Sequence, residues 1–398
     1  GLSEVGRDYY GVFPLRGKVV NVKDADVDKI LKNAEISNLK KILGLKTGED
    51  YSDKTESNWP LRYGSIMVMT DQDVDGSHIK GLLMNLFHTF WPSLLKINFI
   101  TALITPIIKA TKGKATMTFY TLTEYEDWKK ANKKGKGWHI KYYKGLGTST
   151  SKEAKEYFKN MKKVQYTWEE QNSNEWIDLA FNKKRADDRK DWLQTYDKNI
   201  ILDSNDKDVS FNDFIEKEFK HFSNYDLERS IPSICDGMKP SQRKVMYSCF
   251  KRNLKKEIKV AQLAGYVSEH SAYHHGEASL QGTIIKLAQT YVGSNNINYL
   301  KPNGQFGTRM QGGKDSASPR YIFTQLNEIS FHMFNQNDFP LLNYNDDDGM
   351  KIEPEWYLPI LPAILINGSQ GIGTGYSCNV PTFNPLEIID VIKCKINN

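Results

Sequence analysis

The sequence predicts an α/β domain followed by a mainly α-helical domain and the start of a further α/β segment. Three observations carry this. An apolar run, Ser65 to Thr70, leads through an acidic loop into apolar residues at helical spacing; strand, loop, helix is the grammar of α/β domains, whose chemistry sits at the strand's carboxyl end. Beyond residue 211 the apolar positions follow the helical period, with Val245, Met246, Cys249, Phe250 and Leu254 on one stripe. From Trp356 onward, strand-like runs alternate with glycine turns.

Each element follows from local chemistry. Ser65 to Thr70 suits a buried parallel strand. Ile79, Leu82, Leu83, Leu86, Phe87, Phe90 and Trp91 continue as a helix that Pro92 ends. A basic strand, Trp138 to Lys144, leads into Gly145-Leu146-Gly147 and a helix rich in Lys and Glu. Residues 166–210 read as a polar connector. Helices around Val260 to Ala264 and Glu277 to Tyr291, joined by a tight polar turn, form a candidate helix-turn-helix. Between Asn303 and Tyr321 the chain is glycine-rich and irregular.

Composition narrows the function classes. The 398 residues allow two or three domains, with 39% apolar and 26% charged residues, as in a soluble globular protein. No apolar run reaches the ~20 residues of a membrane span, and the first ten residues carry no signal-peptide pattern. Four scattered cysteines without a C-x-x-C pair argue against a disulfide framework or a zinc site. A net charge of +6 says little at this size, so local clustering matters more.

The acidic loop is the strongest local signal. Asp71, Asp73 and Asp75 alternate directly after a strand, and extended backbone would point all three to one side. Converging carboxylates repel unless a cation neutralises them, and a few hard oxygen ligands with room for water favour Mg²⁺. An EF-hand calcium loop would need a bidentate Glu where Leu82 stands. The plainer reading makes Asp75 or Ser77 a helix cap, which leaves three acids unexplained.

Tyr321 stands out through its setting, with Arg320 beside it and a glycine-rich loop before it. A free tyrosine is only about a thousandth ionised at neutral pH, so forming the phenolate costs about 4 kcal/mol without a neighbouring cation or base. Arg320 is such a cation and can fork onto a phosphate. Pro319 should stiffen the loop. His274 and His275 have no third ligand at zinc spacing; they are either polar loop residues or a donor to a phosphate. Lys144 to Gly147, before a helix, could cradle a phosphate through free N–H groups. Gly371 to Gly375 lacks dinucleotide-binding spacing, and no Walker A sequence is present.

Together these stretches resemble the eukaryotic type IIA DNA topoisomerases: Tyr10 to Lys18, Thr70 to Lys80, Tyr142 to Thr148, Arg229 to Pro232, Asp236 to Val245, Tyr273 to Glu277 and Glu355 to Gly375. The resemblance implies a Toprim metal-binding domain at 1–165, the connector at 166–210, a winged-helix DNA-binding domain at 211–361 and the start of a tower domain at 362–398. It implies Asp71 and Asp73 as Mg²⁺ ligands with Asp75 assisting, Tyr321 as nucleophile, and Arg320 and His275 as supporting groups. Lys18, Lys144, Arg229, Lys239 and Arg243 become DNA contacts, and Ile372 the wedge that kinks the duplex. The family's Toprim glutamate motif lies ahead of Gly1, which leaves the expected metal site incomplete in this stretch.

The same resemblance implies double-strand DNA cleavage and religation through a 5′-phosphotyrosyl link. It further implies a homodimer whose protomers share each active site, a nuclear setting, and ATP used only through a domain outside this sequence. Two rival classes remain. A Toprim nuclease or primase would need the aspartates but neither Tyr321 nor Ile372; a non-catalytic DNA-binding module would tolerate loss of every aspartate.

Overall fold

The computed structural model describes residues 1–53, 58–143, 145–347 and 349–397, and among them the chain forms two compact units, Gly1–Tyr225 and Asp226–Asn398. Lys144, an expected DNA contact, lies outside the described residues.

In the first unit, β1 (Ile66–Val68) pairs in parallel with β2 (Ile100–Leu103), Ile66 opposite Ile100. Between them runs α1 (Val74–Phe90), whose Leu82, Leu83, Leu86 and Phe87 are buried. Burying side chains of this size contributes roughly 1.5–3 kcal/mol each. Pro92 does end the helix, at Trp91, and it also opens the next short one, Pro92–Lys96. A β-carbon on Gly81 would lie 2.7 Å from Phe219 and 3.0 Å from Phe181, so the helix packs too closely there for any side chain. A second sheet holds β3 (Ile108–Lys112) between β4 (Ala115–Phe119) and the basic strand β5 (His139–Tyr142). Then comes α2 (Ser151–Asn160).

The expected connector is ordered structure of the first unit. Residues 166–210 contain α3 (Ser173–Phe181), α4 (Ala186–Gln194) and β7 (Asp208–Ser210). β7 pairs with β6 (Lys163–Thr167), which completes the first sheet in the order β1-β2-β6-β7. Ile177, Phe181, Trp192 and Leu193 are buried between the charge runs that made this stretch look like a linker. The division between units falls at residues 225/226, inside α5 (Lys220–Ser230), rather than near 211.

The second unit is built on three helices, α6 (Pro240–Arg252), α7 (Val260–His270) and α8 (Glu277–Ala288). Val245, Met246, Cys249 and Leu254 of the predicted stripe join Leu263, Val267, Leu280 and Ile284 in one core. The turn between α7 and α8 contains Ala272 at φ 48°. β8 (Ile258–Lys259) pairs with β9 (Phe323–Thr324), which lies just beyond Tyr321. β10 (Tyr344–Asp347) and β11 (Met350–Pro354) form one hairpin, β12 (Ser369–Ile372) and β13 (Ser377–Val380) another. The final segment is α9 (Pro385–Asn397), a helix where strand-like runs were expected. No described helix is long and apolar enough to cross a membrane.

Candidate functional site

The acidic loop leaves β1 and enters α1 sooner than the sequence suggested. Asp73 is extended (φ −127°, ψ 176°) and caps the helix, its Oδ1 accepting from the Gly76 N–H at 2.7 Å. The cap is therefore Asp73, not Asp75 or Ser77. Asp75 already sits in the first helical turn, where the alternation of extended backbone no longer applies. Its carboxylate takes the Lys18 ammonium at 2.6 Å, which ties Lys18 to a protein acid and sets its Nζ 4.8 Å from the Phe222 ring. Asp71 turns elsewhere, accepting from the Leu146 N–H at 2.6 Å. Among the described residues no three His, Cys, Asp or Glu side chains gather into a metal-holding group, so the three-way convergence expected from alternation is not formed.

Gly76 fixes the geometry of this loop. A β-carbon there would stand 2.0 Å from the Asp71 carbonyl oxygen and 2.9 Å from Thr70 Oγ1. Beneath it, Ser77 Oγ donates to Glu218 at 2.6 Å, and buried Lys80 pairs with the same carboxylate. Oxygen donors on Asp71 and Asp73 suit Mg²⁺, which commonly takes one or two carboxylates and completes its shell with water and substrate phosphate.

In the second unit, Ser318-Pro319-Arg320-Tyr321 makes a turn in which the Tyr321 N–H donates to the Ser318 carbonyl at 2.9 Å; Pro at its second position presets the backbone. The turn is anchored on both sides, by the Ala261 N–H on the Pro319 carbonyl and the Val260 N–H on the Ile322 carbonyl, each 3.0 Å. Ile322 is buried, whereas the Tyr321 side chain is 72% exposed. The Arg320 guanidinium lies 5.9 Å from the Tyr321 ring centroid. This is an accessible phenol with a permanent cation beside it, carried on a rigid turn. His274 and His275 diverge, as adjacent residues at a helix start should: His274 reaches Asp347 at 3.2 Å, and the His275 ring meets the Tyr273 ring edge-on. His275 is exposed just ahead of α8.

The predicted DNA contacts divide sharply. Ile372 is 76% exposed at the end of β12, and its hairpin is locked against the end of α5. A β-carbon on Gly371 would meet the Ser230 carbonyl oxygen at 2.1 Å, and one on Gly373 would meet the Leu227 side chain at 2.7 Å. Thr374 Oγ1 donates to Asp226 at 3.1 Å. Arg229 reaches Asp226 at 3.5 Å.

Lys239 donates to the Gln370 carbonyl at 2.8 Å, and burial lowers its pKa. Arg243 corrects the expectation of a phosphate contact. It is 5% exposed, with Nε and Nη2 on the two Asp236 oxygens at 2.7 and 3.0 Å. Of the other bases in that crowded segment, Lys244 pairs with the buried Glu353 at 2.8 Å, whereas Arg252 stays exposed with its guanidinium over the Tyr266 ring.

Comparisons with known proteins agree across the chain. Residues 2–107 match the Toprim domain family, 103–227 the C-terminal associated domain of TOPRIM, and 229–398 the DNA gyrase/topoisomerase IV A-subunit family. The sequence is 55% identical to DNA topoisomerase 2 of Plasmodium falciparum over 402 residues, covering 100% of this chain and 28% of that protein. It is 54% identical to DNA topoisomerase 2-alpha of Homo sapiens, covering 99% and 26%. It also resembles the crystal structure of the Plasmodium falciparum topoisomerase II DNA-binding, cleavage and re-ligation domain, with a TM-score of 0.82 at 55% identity, covering 100% of this chain and 54% of that one. The chain thus spans about a quarter of the length of these curated relatives.

Proposed function

The chain belongs to the eukaryotic DNA topoisomerase II family, and on that premise we propose that it is the part of a type IIA topoisomerase that cuts and reseals duplex DNA. The observation that carries the reading is the exposed Tyr321 phenol on its clamped turn, with Arg320 alongside.

In the proposed step Tyr321 Oη attacks a backbone phosphorus. The bond from phosphorus to Oη forms as the bond to the 3′-oxygen breaks; the phenol loses its proton and the 3′-oxygen gains one. One phosphodiester replaces another, so the exchange runs in reverse to reseal the strand. Arg320 balances charge on the phosphoryl oxygens, and His275 supports it as a hydrogen-bond donor. Asp71 and Asp73 would hold Mg²⁺, which when bound supplies positive charge to an oxygen leaving phosphorus and to a neighbouring phosphate.

The helices α6 to α8 with the β8–β9 ribbon act, in this reading, as the winged-helix domain, and the segment from 362 as the start of a tower. Ile372 enters between base pairs and kinks the duplex. Selectivity then follows DNA deformability more than base contacts. A homodimer that combines the tyrosine of one protomer with the Toprim acids of the other, a nuclear setting and ATP-driven duplex passage in the intact protein belong to the same proposal.

The test is Tyr321→Phe in the intact protein. Covalent protein–DNA complexes trapped with detergent should disappear while DNA binding persists. Wild-type adduct levels in the variant would overturn the reading.

A further inference from the structure

The loop whose sequence suggests a phosphate cradle has a different partner in the fold. The Leu146 N–H, one of the donors expected to face an anion, points at Asp71 Oδ1 instead. Gly145 lies flat against the same carboxylate: a β-carbon there would be 2.9 Å from Oδ2 and 3.1 Å from Cγ. Gly147, two residues on in the same motif, has nothing within 4 Å of its would-be β-carbon. One glycine of the pair is demanded by Asp71 and the other is not.

The donor is itself held in place. Thr148 closes a tight turn on the Gly145 carbonyl through its N–H at 3.0 Å and its Oγ1 at 2.7 Å. On the far side, Thr150 caps α2 in a reciprocal box with Glu153. Glu153 also receives Lys141 of β5 at 2.9 Å and the hydroxyl of Tyr143, the residue just after β5, at 2.5 Å. Strand and helix are thereby cross-braced around the turn.

We propose that the Gly145–Thr148 turn is a positioning clamp that orients the Asp71 carboxylate for metal binding in the cleavage reaction. Fixing Oδ1 on a backbone N–H sets the rotation of the carboxylate, and so the direction in which Oδ2 is presented. Groups that orient a metal ligand typically change metal affinity or activity by roughly 10–100-fold when removed. The inference rests on the reading of Asp71 as a metal ligand.

Gly145→Ala tests it in the intact protein, because the atoms that must yield are the Asp71 carboxylate rather than the backbone. The Mg²⁺ concentration for half-maximal DNA cleavage should rise roughly 10-fold or more. Mn²⁺ affinity, read by electron paramagnetic resonance without DNA, should fall in parallel. Gly147→Ala should leave both unchanged. Identical metal binding in the two glycine variants overturns the clamp. If circular dichroism shows Gly145→Ala misfolded, Thr148→Val carries the test by removing the hydroxyl that closes the turn; an unaltered Mg²⁺ requirement and Mn²⁺ affinity would then overturn it. Asp71→Asn separates the two levels. Full Mn²⁺ affinity in that variant sinks the ligand reading itself, whereas loss there with no effect at Gly145 sinks only the clamp.

Discussion

Lys239 Nζ donates to the Gln370 carbonyl across 2.8 Å, so a lysine at the start of α6 holds the strand that ends in Ile372. Its ammonium is desolvated there, which lowers its pKa. The side chain therefore braces the strand of the proposed wedge instead of reaching outward. Lys239→Met should reduce DNA bending, measured by fluorescence energy transfer across a labelled duplex, towards the level of Ile372→Ala. The slope of DNA affinity against salt should not change. A slope smaller by about one would mean that Lys239 contacts a phosphate after all.

Arg243 and Asp236 form a buried pair in which Asp236 also accepts the N–H groups of Met238 and Tyr357, each at 2.9 Å. Breaking such a pair strands a buried charge. Arg243→Met should destabilise the protein by about 3–5 kcal/mol in denaturant titration. A near-neutral effect on stability together with weakened DNA binding would restore Arg243 to the DNA surface.

Gly76→Ala should be far more harmful than an alanine in a helix normally is. Its β-carbon would overlap the Asp71 carbonyl oxygen, and relief requires moving the loop that carries Asp71 and Asp73. Overpacking of this kind typically costs about 1–3 kcal/mol. Mg²⁺-dependent cleavage should be lost, and a variant that cleaves normally at ordinary Mg²⁺ would contradict this geometry.

Glu153 gives the brace a pH signature. Burial works against its charge, but Lys141, Tyr143 and Thr150 outweigh that and hold its pKa at about 2. The folded value lies below the unfolded one of about 4.3, so the contribution is present above pH ~4.3 and fades as pH falls towards about 2. The difference in thermal midpoint between wild type and Glu153→Gln should shrink over that window. A difference that stays constant across it would contradict the assignment.

Much of this is legible in the sequence because the signals are local. The apolar run before Asp71, the periodic helix behind it and the stripe from Val245 to Leu254 each depend on neighbours within a few turns. What escapes depends on distant partners. The contact between Leu146 and Asp71 spans 75 positions, and no window of sequence contains both. Asp75 is misplaced by sequence reasoning because Asp73 caps α1, which begins at Val74 and takes Asp75 out of extended backbone. Arg243 looks exposed among lysines, since only the fold shows that the loop before α6 brings Asp236 underneath it. The supposed connector is masked by charges on the outer faces of short helices whose Ile177, Phe181 and Trp192 point inward.

The protein–DNA bond itself can be read out: trap the covalent DNA complex of the intact wild-type protein, digest both partners and map the residual nucleotide by mass spectrometry. The proposed chemistry predicts a nucleotide joined through its 5′-phosphate to the phenolic oxygen of Tyr321. A nucleotide on any other side chain, or cleaved DNA with no protein attached, would contradict it.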